Sequence, residues 1–190
     1  MCVGESNELL CSVRSWSRGI IMKMSSRAIS DGDVGNLKHL FYEHGINDWN
    51  SFDECSIDEQ ISLVKEGSAD IVFLEDTSIL GVAFLIYGTS CPDKLKKYYA
   101  LEKICFIKDV VVSSELHGQG FGTRLVEFCL TLAAKENYEK MFIERHEENI
   151  ASKKMMEKSG FQVVDRFYDP DKRRVRTRKT VVSSKDLRIG

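Results

Sequence analysis

The sequence predicts a single α/β domain whose sheet is mixed rather than fully parallel. Segments with strand character alternate with segments whose apolar residues recur at helical spacing. Short turns connect some strands and helices connect others, so both hairpins and crossovers are expected. The 190 residues contain no internal repeat or linker-like stretch, and this length suits one domain. We expect the domain to span residues 20–190, with residues 1–19 forming an N-terminal extension for which no order is predicted.

The first half of the chain predicts a strand, two helices and a hairpin. The elements are Ile20–Ile29, a helix ending at His44, a helix from Ser56 to Gly67, and strands Ala69–Leu74 and Ile79–Tyr87. Asp31 or Asp33, in the turn after the first strand, can cap the first helix. Ser56 and Glu59 form a capping box for the second helix. The polar turn Glu75–Ser78 separates the hairpin strands.

The second half predicts a long strand, two crossover helices and a terminal pair of strands. The elements are strand Leu101–Val112, helix Gly122–Glu136, strand Met141–Glu144, helix Asn149–Lys158, and strands Phe161–Phe167 and Val175–Val182. The basic run Lys172–Lys179 is interpreted as an exposed strand with solvated side chains. A polyanion-binding patch is the less favoured alternative, because no aromatic residues interleave with the cations.

The composition argues against several classes of partner. The formal net charge of −2 gives no overall attraction to nucleic acid or to an anionic membrane. No apolar run reaches the roughly 18 residues of a membrane span, and the N-terminus does not have the pattern of a signal peptide. Six cysteines are scattered without a C-x-x-C pair, which indicates reduced structural thiols and no metal site. We therefore expect a cytoplasmic protein without a nucleic-acid or membrane partner.

A glycine-rich turn joins the long strand to the next helix. Its sequence is His117-Gly118-Gln119-Gly120-Phe121-Gly122. Glycine allows a ligand to approach the backbone closely, and the first N–H groups of a helix are unpaired at the positive end of its dipole. The turn therefore predicts a phosphate or pyrophosphate site, although such a turn can also serve only as a tight corner.

Two other nucleotide-binding motifs do not fit this turn. A Walker loop has a lysine after its last glycine, whereas Thr123 follows Gly122. The dinucleotide fingerprint has the spacing G-x-G-x-x-G near the first strand of its unit. Here the glycines alternate with single residues and come late in the chain, after a hairpin.

The turn and its context resemble the GNAT acetyltransferases. Their signature places an Arg or Gln before alternating Gly and Gly or Ala, between the fourth strand and the next helix, and His117 stands at the Arg or Gln position. Asn149–Phe161 resembles a second family motif, which runs from an Asn through a Glu-Lys pair to Gly-Phe. The resemblance extends from about Ala69 to Val164. It implies the acyl-CoA N-acyltransferase fold, with a largely antiparallel mixed sheet flanked by helices and splayed strands 4 and 5.

The resemblance implies acetyl-CoA as co-substrate and no metal. The backbone of Val110, Val111 and Val112 would pair with the pantetheine arm, and a backbone N–H there would stabilise the oxyanion. The pyrophosphate would be held by the backbone amides of His117, Gly118, Gln119, Gly120, Phe121, Gly122 and Thr123. Asn149 matches a cofactor-contacting position, with Ser152 one helical turn beyond, although Asn149 also suits an ordinary helix N-cap.

The catalytic assignment depends on two positions. Met156 stands where many members carry a tyrosine that protonates the thiolate, and it is interpreted as shaping the acetyl pocket. Asp109, an acid in an apolar strand end, matches an acidic position in polyamine acetyltransferases. It would deprotonate or orient the amine, and the low ordinary pKa of aspartate favours orientation. A solvated strand residue is the alternative, and Glu144 and His146 are weaker candidates.

The acceptor is expected to be a primary amine of a small molecule, acetylated by direct attack in a ternary complex. The acids between Glu43 and Glu59, together with Trp49 and Phe52, suit a cationic amine, although a solvated helix face is the alternative. Ser152 with Met156 suggests a peptide or protein N-terminal acetyltransferase instead. A non-catalytic acyl-CoA-binding module is the third alternative, and a homodimer is left open.

Overall fold

The structure, a computed structural model, describes residues 10–14, 21–50, 52–173 and 175–188. Its eight strands are β1 (Leu10–Arg14), β2 (Ile21–Ser26), β3 (Ala69–Glu75), β4 (Ile79–Tyr87), β5 (Ile104–Val112), β6 (Lys140–His146), β7 (Gln162–Tyr168) and β8 (Lys179–Asp186). Its α-helices are α1 (Asp31–Leu40), α2 (Glu54–Lys65), α3 (Phe121–Lys135) and α4 (Ile150–Lys158). A π-helical turn, Phe41–Gly45, follows α1 directly.

All eight strands form one sheet in the order β1-β2-β3-β4-β5-β6-β8-β7. Every neighbouring pair is antiparallel except β5 and β6. These two strands pair only over Ile104–Ile107 and Lys140–Ile143. Beyond that point β5 continues along β4 and β6 continues along β8. The sheet therefore forks between β5 and β6, which are the fourth and fifth of the strands predicted from the sequence because β1 was not among them. This fork confirms the expected mixed, largely antiparallel sheet with splayed strands.

Helices cover both faces of the sheet. On one face, Leu37 and Phe41 from α1 and its π-helical turn and Ile57 from α2 are buried against β3 and β4. On the other face, Leu125 of α3 and Met156 of α4 are buried against β3 to β6. Each face of the central strands is therefore apolar, as expected of a sheet between two helical layers.

The caps of the first two helices explain where they begin. At α1, Ser30 N–H donates to Asp33 Oδ2 at 2.7 Å, so these two residues form the capping box. At α2, Asp53 Oδ1 accepts from Ser56 N–H at 2.7 Å. The predicted box of Ser56 with Glu59 is therefore wrong, because Asp53 caps the helix three residues earlier.

Two terminal segments differ from the sequence-based expectation. Leu10–Arg14, within the expected extension, pairs with β2 as an edge strand, while residues 1–9 and 15–20 lie outside the described residues. The last strand begins at Lys179 rather than Val175, because Arg176 and Arg178 have φ values of 51° and 50°, which no strand accommodates. The interpretation of the basic run as an exposed strand is therefore wrong, and most of that run lies in the loop between β7 and β8.

Candidate active site

A cleft opens where β5 and β6 diverge. Its walls are Lys108–Val112 of β5, held on the outer side by β4, and Glu144–His146 of β6, held on the outer side by β8. Within the described chain neither wall has a partner strand across the gap. Backbone groups that point into the cleft are therefore free of sheet hydrogen bonds, and such an edge can pair with an extended ligand.

One hydrogen bond fixes which backbone groups of β5 point into the cleft. Ser113 N–H donates to Leu80 O, at the start of β4, at 2.8 Å. Because N–H and C=O alternate in direction along an antiparallel strand, those of Val111 also point to β4. The groups of Val110 and Val112 then face the cleft. Of the three valines expected to pair with a ligand, two have this orientation and Val111 does not.

A β-bulge orients Asp109. Val110 lies opposite Ala83 and Ile107 lies opposite Leu85, so two residues of β5, Lys108 and Asp109, oppose the single residue between them on β4. An extra residue reverses the faces to which the following side chains point. Without the bulge Asp109 would share a face with Ile107 under α3. With it, Asp109 lies on the α2 face.

The surroundings of Asp109 change its acidity. The side chain keeps only partial solvent access. Burial raises the pKa of Asp109 to about 6, while the positive charges of Lys108, Lys172 and Arg173 and the polar side chain of Gln60 oppose this rise. Desolvation outweighs the neighbouring cations. Asp109 is therefore a carboxylate that is ionised at neutral pH and is more basic than an ordinary aspartate.

The loop at the mouth of the cleft has an open, concave backbone. Gly118 and Gly120 have φ values of 76° and 82°, and a Cβ atom on either would meet no atom within 4 Å. The first helical hydrogen bond of α3 runs from Arg124 N–H to Gly120 O at 3.1 Å. The N–H groups of residues 121–123 therefore have no helical acceptor. This combination has the geometry to accept an anion such as a pyrophosphate.

Side chains of the loop stabilise it rather than extend from it. His117 Nε2 lies 3.0 Å from Val112 O, so the ring joins the loop to the end of β5. Gln119 Nε2 donates to Glu115 O at 3.1 Å. Ser114 N–H donates to His44 Nδ1 at 3.3 Å, which links the loop to the π-helical turn after α1. The side chains of His117 and Gln119 are therefore engaged within the loop, which leaves its backbone amides open to a phosphate.

The second motif forms the start and the buried face of α4. Asn149 caps the helix, with Oδ1 accepting from Ser152 N–H at 2.9 Å, and this leaves its Nδ2 group for a ligand. Met156 is 2% exposed and belongs to the main hydrophobic core. Met155 contacts α3 closely, since a Cβ atom on Gly122 would lie 3.0 Å from its Sδ atom. The two helices of the candidate site therefore pack directly on each other.

Glu144 and His146, on the β6 wall, are held by internal partners. The side chain of Glu144 is 2% exposed and lies 2.8 Å from the ammonium groups of Lys94 and Lys172. Burial would raise its pKa, but the two lysines outweigh burial and hold it below the ordinary value. His146 Nδ1 accepts from Glu148 N–H and Nε2 donates to Val175 O, both at 3.1 Å. His146 therefore has no free basic atom for a general base, whereas Glu144 is ion-paired with two lysines but keeps its buried Oε1 atom without a hydrogen-bond donor.

Most acids between Glu43 and Glu59 also have local partners. Asp53 caps α2, and Asp48 lies 3.6 Å from Arg176. Lys38 binds Glu54 at 2.8 Å and Asp58 at 2.9 Å. The acidic run is therefore mainly a set of helix caps and surface ion pairs, and it gives little support to a cationic acceptor.

Sequence reasoning missed the polar residues beside Asp109. Gln60 lies on α2 and is 2% exposed, and Arg173 lies on the loop between β7 and β8 and is 5% exposed. Trp49 reaches the same region, since its ring centroid is 5.0 Å from that of His146. The turn signal Asp169-Pro170-Asp171 could have indicated a loop there. Nothing in the sequence, however, indicates that Arg173 is buried while Lys172 beside it is exposed.

Other features of the described residues bear on the reaction class. Cys55, Cys91, Cys105 and Cys129 are free thiols. No group of three or more metal-ligating His, Cys, Asp or Glu side chains occurs in the described part of the chain. None of the helices described combines the length and the apolar character that crossing a membrane requires.

Comparison with known proteins adds the family. The profile of the acetyltransferase (GNAT) family matches residues 37–161, and no curated protein matches the chain by sequence. The fold is similar to that of the ribosomal-protein-S18-alanine N-acetyltransferase from Escherichia coli (12% identity, 88% of this chain and 96% of that chain, TM-score 0.66). It is also similar to a phosphinothricin acetyltransferase from Sinorhizobium meliloti in complex with AcCoA (13% identity, 86% and 88%, TM-score 0.69).

A third solved structure, the ribosomal-protein-S5-alanine acetyltransferase from Vibrio fischeri, gives a TM-score of 0.67 at 16% identity, covering 86% of this chain and 93% of that chain. At such identities these likenesses show the fold alone. The family profile spans more than half of the chain, from α1 to the end of the second motif, and includes the forked strands and the glycine loop. The chain belongs to the GNAT acetyltransferase family.

Proposed function

We propose that this protein transfers the acetyl group of acetyl-CoA to a primary amine of a small molecule. The observation that carries the proposal is the juxtaposition of three features at the fork: an open backbone edge on β5, a concave glycine loop at its mouth, and Asp109 with a raised pKa beside it. The first two suit the pantetheine arm and pyrophosphate of coenzyme A. The third suits an amine that must lose a proton.

The described residues fit acetyl-CoA. The amides of residues 121–123 and the open space beside Gly118 and Gly120 would receive the pyrophosphate. The cleft-facing groups of Val110 and the N–H of Val112 would pair with the pantetheine arm, since Val112 O already contacts His117 Nε2, and Asn149 Nδ2 would add a polar contact. When bound, acetyl-CoA supplies an acetyl group whose C–S bond is replaced by a C–N bond to the amine, while the amine loses one proton and the coenzyme A thiolate gains one.

Asp109 would receive the proton that the amine loses. A lysine-like ammonium has a pKa of about 10.4, so it must be deprotonated before it can act as a nucleophile. An aspartate of ordinary pKa matches this task poorly, but burial raises the pKa of Asp109 to about 6, nearer to the operating pH. We therefore assign proton acceptance to Asp109 in place of the orienting role favoured by its ordinary pKa. With Met156 buried in the core, the protonation of the thiolate falls to water or to the released proton.

The test has a binding step and a turnover step. Acetyl-CoA at about one hundred times its Kd should raise the free energy of unfolding by about 2.7 kcal/mol, which a thermal melt detects. A thiol-release assay with free amines and with peptides then identifies the acceptor. Turnover of free amines supports the proposal, and turnover of peptides alone favours the N-terminal acetyltransferase. Coenzyme A binding without any turnover favours a binding module. An unchanged melt at millimolar acetyl-CoA would contradict the proposal.

Asp109→Asn separates catalysis from binding. If Asp109 accepts the proton, kcat should fall about a hundredfold or more, and the decline of wild-type activity below pH about 6 should be absent from the variant. The Kd for acetyl-CoA should not change, because backbone groups hold the cofactor. Asp58→Asn, an exposed acid on α2, is the matched control. A raised KM with kcat retained would indicate that Asp109 only orients the substrate.

A further inference from the structure

Arg173 is a buried cation that lacks an anionic partner. Its residue is 5% exposed, and its pKa is lowered by burial. Nε donates to Thr180 Oγ1 at 2.9 Å, and Nη1 lies 3.5 Å from Trp49 O. No carboxylate oxygen of a described residue lies within the 4.0 Å of an ion pair. A guanidinium has five N–H donors, so most of those on Arg173 are not satisfied by the protein.

Such a group is energetically unfavourable unless something compensates it. Removing a charge from water is penalised, and the penalty is offset only by a partner of opposite sign with good hydrogen-bond geometry. Nearby carboxylates act on Arg173 only at longer range: Glu144, Asp169 and Asp109. Two of them already have close partners, since Glu144 binds two lysines and Asp169 accepts from Thr180 Oγ1 at 2.7 Å.

Among the groups that act most strongly on Asp109, Glu144 and Arg173, the cations outnumber the carboxylates. Four basic side chains act on this group of acids: Lys94, Lys108, Lys172 and Arg173. The three carboxylates are those of Asp109, Glu144 and Asp169. Asp109 is also the carboxylate that the proposed reaction would protonate. A ligand with a negative charge would therefore complete the site.

We propose that the acceptor is an amine that also carries an anionic group, a carboxylate or a phosphonate, and that Arg173 binds this group while Asp109 receives the amine. The inference rests on the proposed acetyl transfer and adds the class of substrate. The planar fork of a guanidinium matches the oxygen pair of a carboxylate or phosphonate. A zwitterionic amino acid has both charges that the cleft would complement, with its ammonium towards Asp109 and its anion towards Arg173.

The reaction remains balanced with such an acceptor. An ammonium that binds towards Asp109 first loses one proton, which Asp109 accepts and passes to solvent. The amino nitrogen then gains the acetyl carbon in place of a second hydrogen, the C–S bond to coenzyme A breaks, and this second proton equals the one taken up by the thiolate. The anionic group is unchanged by the reaction. Its role is to fix the position of the nitrogen relative to Asp109, so its loss should raise KM more than it lowers kcat.

The first experiment uses the wild-type protein and matched ligands. Thiol release is measured for a panel of amino acids, their carboxamides and aminoalkyl phosphonates of equal length. For the compounds that are turned over, we expect kcat/KM for the anionic member to exceed that of its carboxamide by at least about tenfold, the factor expected from one charge-assisted hydrogen-bonded pair. Equal or reversed rates within every pair would overturn the inference. The comparison of carboxylate with phosphonate identifies the preferred anion.

The second experiment tests Arg173 itself. Arg173→Gln should reduce the ratio of kcat/KM for the anionic substrate to kcat/KM for its carboxamide to about one, chiefly through KM. Arg173→Lys should restore part of this ratio because the charge is kept. Arg178→Gln, an exposed arginine of the same loop, is the matched control and should keep the wild-type ratio. A folded Arg173→Gln protein with an unchanged ratio would contradict the role of Arg173.

Failure of this inference is distinguishable from failure of the proposed function. Stabilisation by acetyl-CoA and turnover of neutral amines test acetyl transfer. The ratio of kcat/KM between anionic and neutral substrates tests the anion site. If no compound of the panel is turned over, calorimetric titration of the same pairs into the coenzyme A complex gives the ratio from binding alone. Absence of saturable binding for every anionic member would then overturn the inference even though coenzyme A binds.

Discussion

The two sides of the cleft are built in different ways. The proposed cofactor side consists of backbone groups from one continuous segment, Val110–Thr123, together with the cap of α4. The proposed acceptor side consists of side chains that lie far apart in the sequence: Gln60 of α2, Asp109 of β5 and Arg173 of the loop between β7 and β8. A backbone site depends on local conformation and tolerates variation of its side chains. A side-chain site depends on the identity of each residue and on the packing that brings them together.

This difference explains why the two sides differ in how readily a sequence reveals them. Alternating glycines after a strand indicate an anion site wherever they occur, because the backbone conformation itself forms it. His117 stands at a position usually occupied by Arg or Gln, and we expect this difference to have little effect on cofactor binding because the His117 ring contacts Val112 O. A buried arginine in a loop has no comparable pattern.

Gly120→Glu should abolish acetyl-CoA binding. The residue has a φ of 82° and open space beside it, so the new side chain would lie in the cradle and add a negative charge next to the start of α3. We expect the Kd for acetyl-CoA to rise at least about a hundredfold. Isothermal calorimetry with acetyl-CoA measures it.

The matched control for this change is Gly67→Glu. Gly67 has a φ of 75°, and its Cβ position is also free of neighbours within 4 Å, but it lies at the C-terminal end of α2, away from the cradle. The control therefore introduces the same charge and a similar backbone strain at another helix end. If folded Gly120→Glu protein bound acetyl-CoA as tightly as Gly67→Glu does, the loop would be only a corner.

Asp109→Asn should change the pH dependence of stability. Because the folded-state pKa is raised from 3.8 to about 6, the folded wild-type protein binds a proton more tightly than the unfolded chain does. The associated stability is present below pH about 4 and is lost as the pH rises through about 6. Relative to wild type, the variant should therefore gain about 2 to 3 kcal/mol between pH 4 and pH 7.

Urea unfolding at a series of pH values measures this difference. Glu144 and the neighbouring lysines are present in both proteins, so their titration cancels in the comparison. Asp58→Asn again serves as control and should show no such gain. A constant difference in the free energy of unfolding between wild type and Asp109→Asn over this pH range would show that Asp109 titrates as an ordinary aspartate.

His117→Ala should have the smallest effect. The ring contacts Val112 O at 3.0 Å and is exposed, so its removal loosens the loop without removing any group that would hold a phosphate. We expect the Kd for acetyl-CoA to rise by no more than about fivefold, since one net hydrogen bond contributes about 1 kcal/mol or less here. A loss comparable to that of Gly120→Glu would mean that the side chain of His117 itself binds the cofactor.

Most of the fold followed from the sequence because its signals are local. The hairpin of β3 and β4, the glycine loop and α3 were predicted within a few residues, since each depends on periodicity and turn chemistry. The cap of α2 and the start of β8 were not, because Asp53 takes the place of Ser56 as the cap, and left-handed Arg176 and Arg178 delay the start of the strand to Lys179. The face to which Asp109 points depends on a β-bulge, and no residue type in β5 indicates that a bulge occurs there.

The short parallel contact between β5 and β6 also has a consequence for folding. Only four residues on each strand, Ile104–Ile107 and Lys140–Ile143, join the two halves of the sheet, and α3 lies between them in the chain. Hairpins such as β3 and β4 close over short loops, whereas this contact must await a long crossover and is therefore slow to form. Because the cleft exists only where those strands meet and diverge, a chain that has folded its hairpins but has not docked β6 has no active site, and activity should return last during refolding.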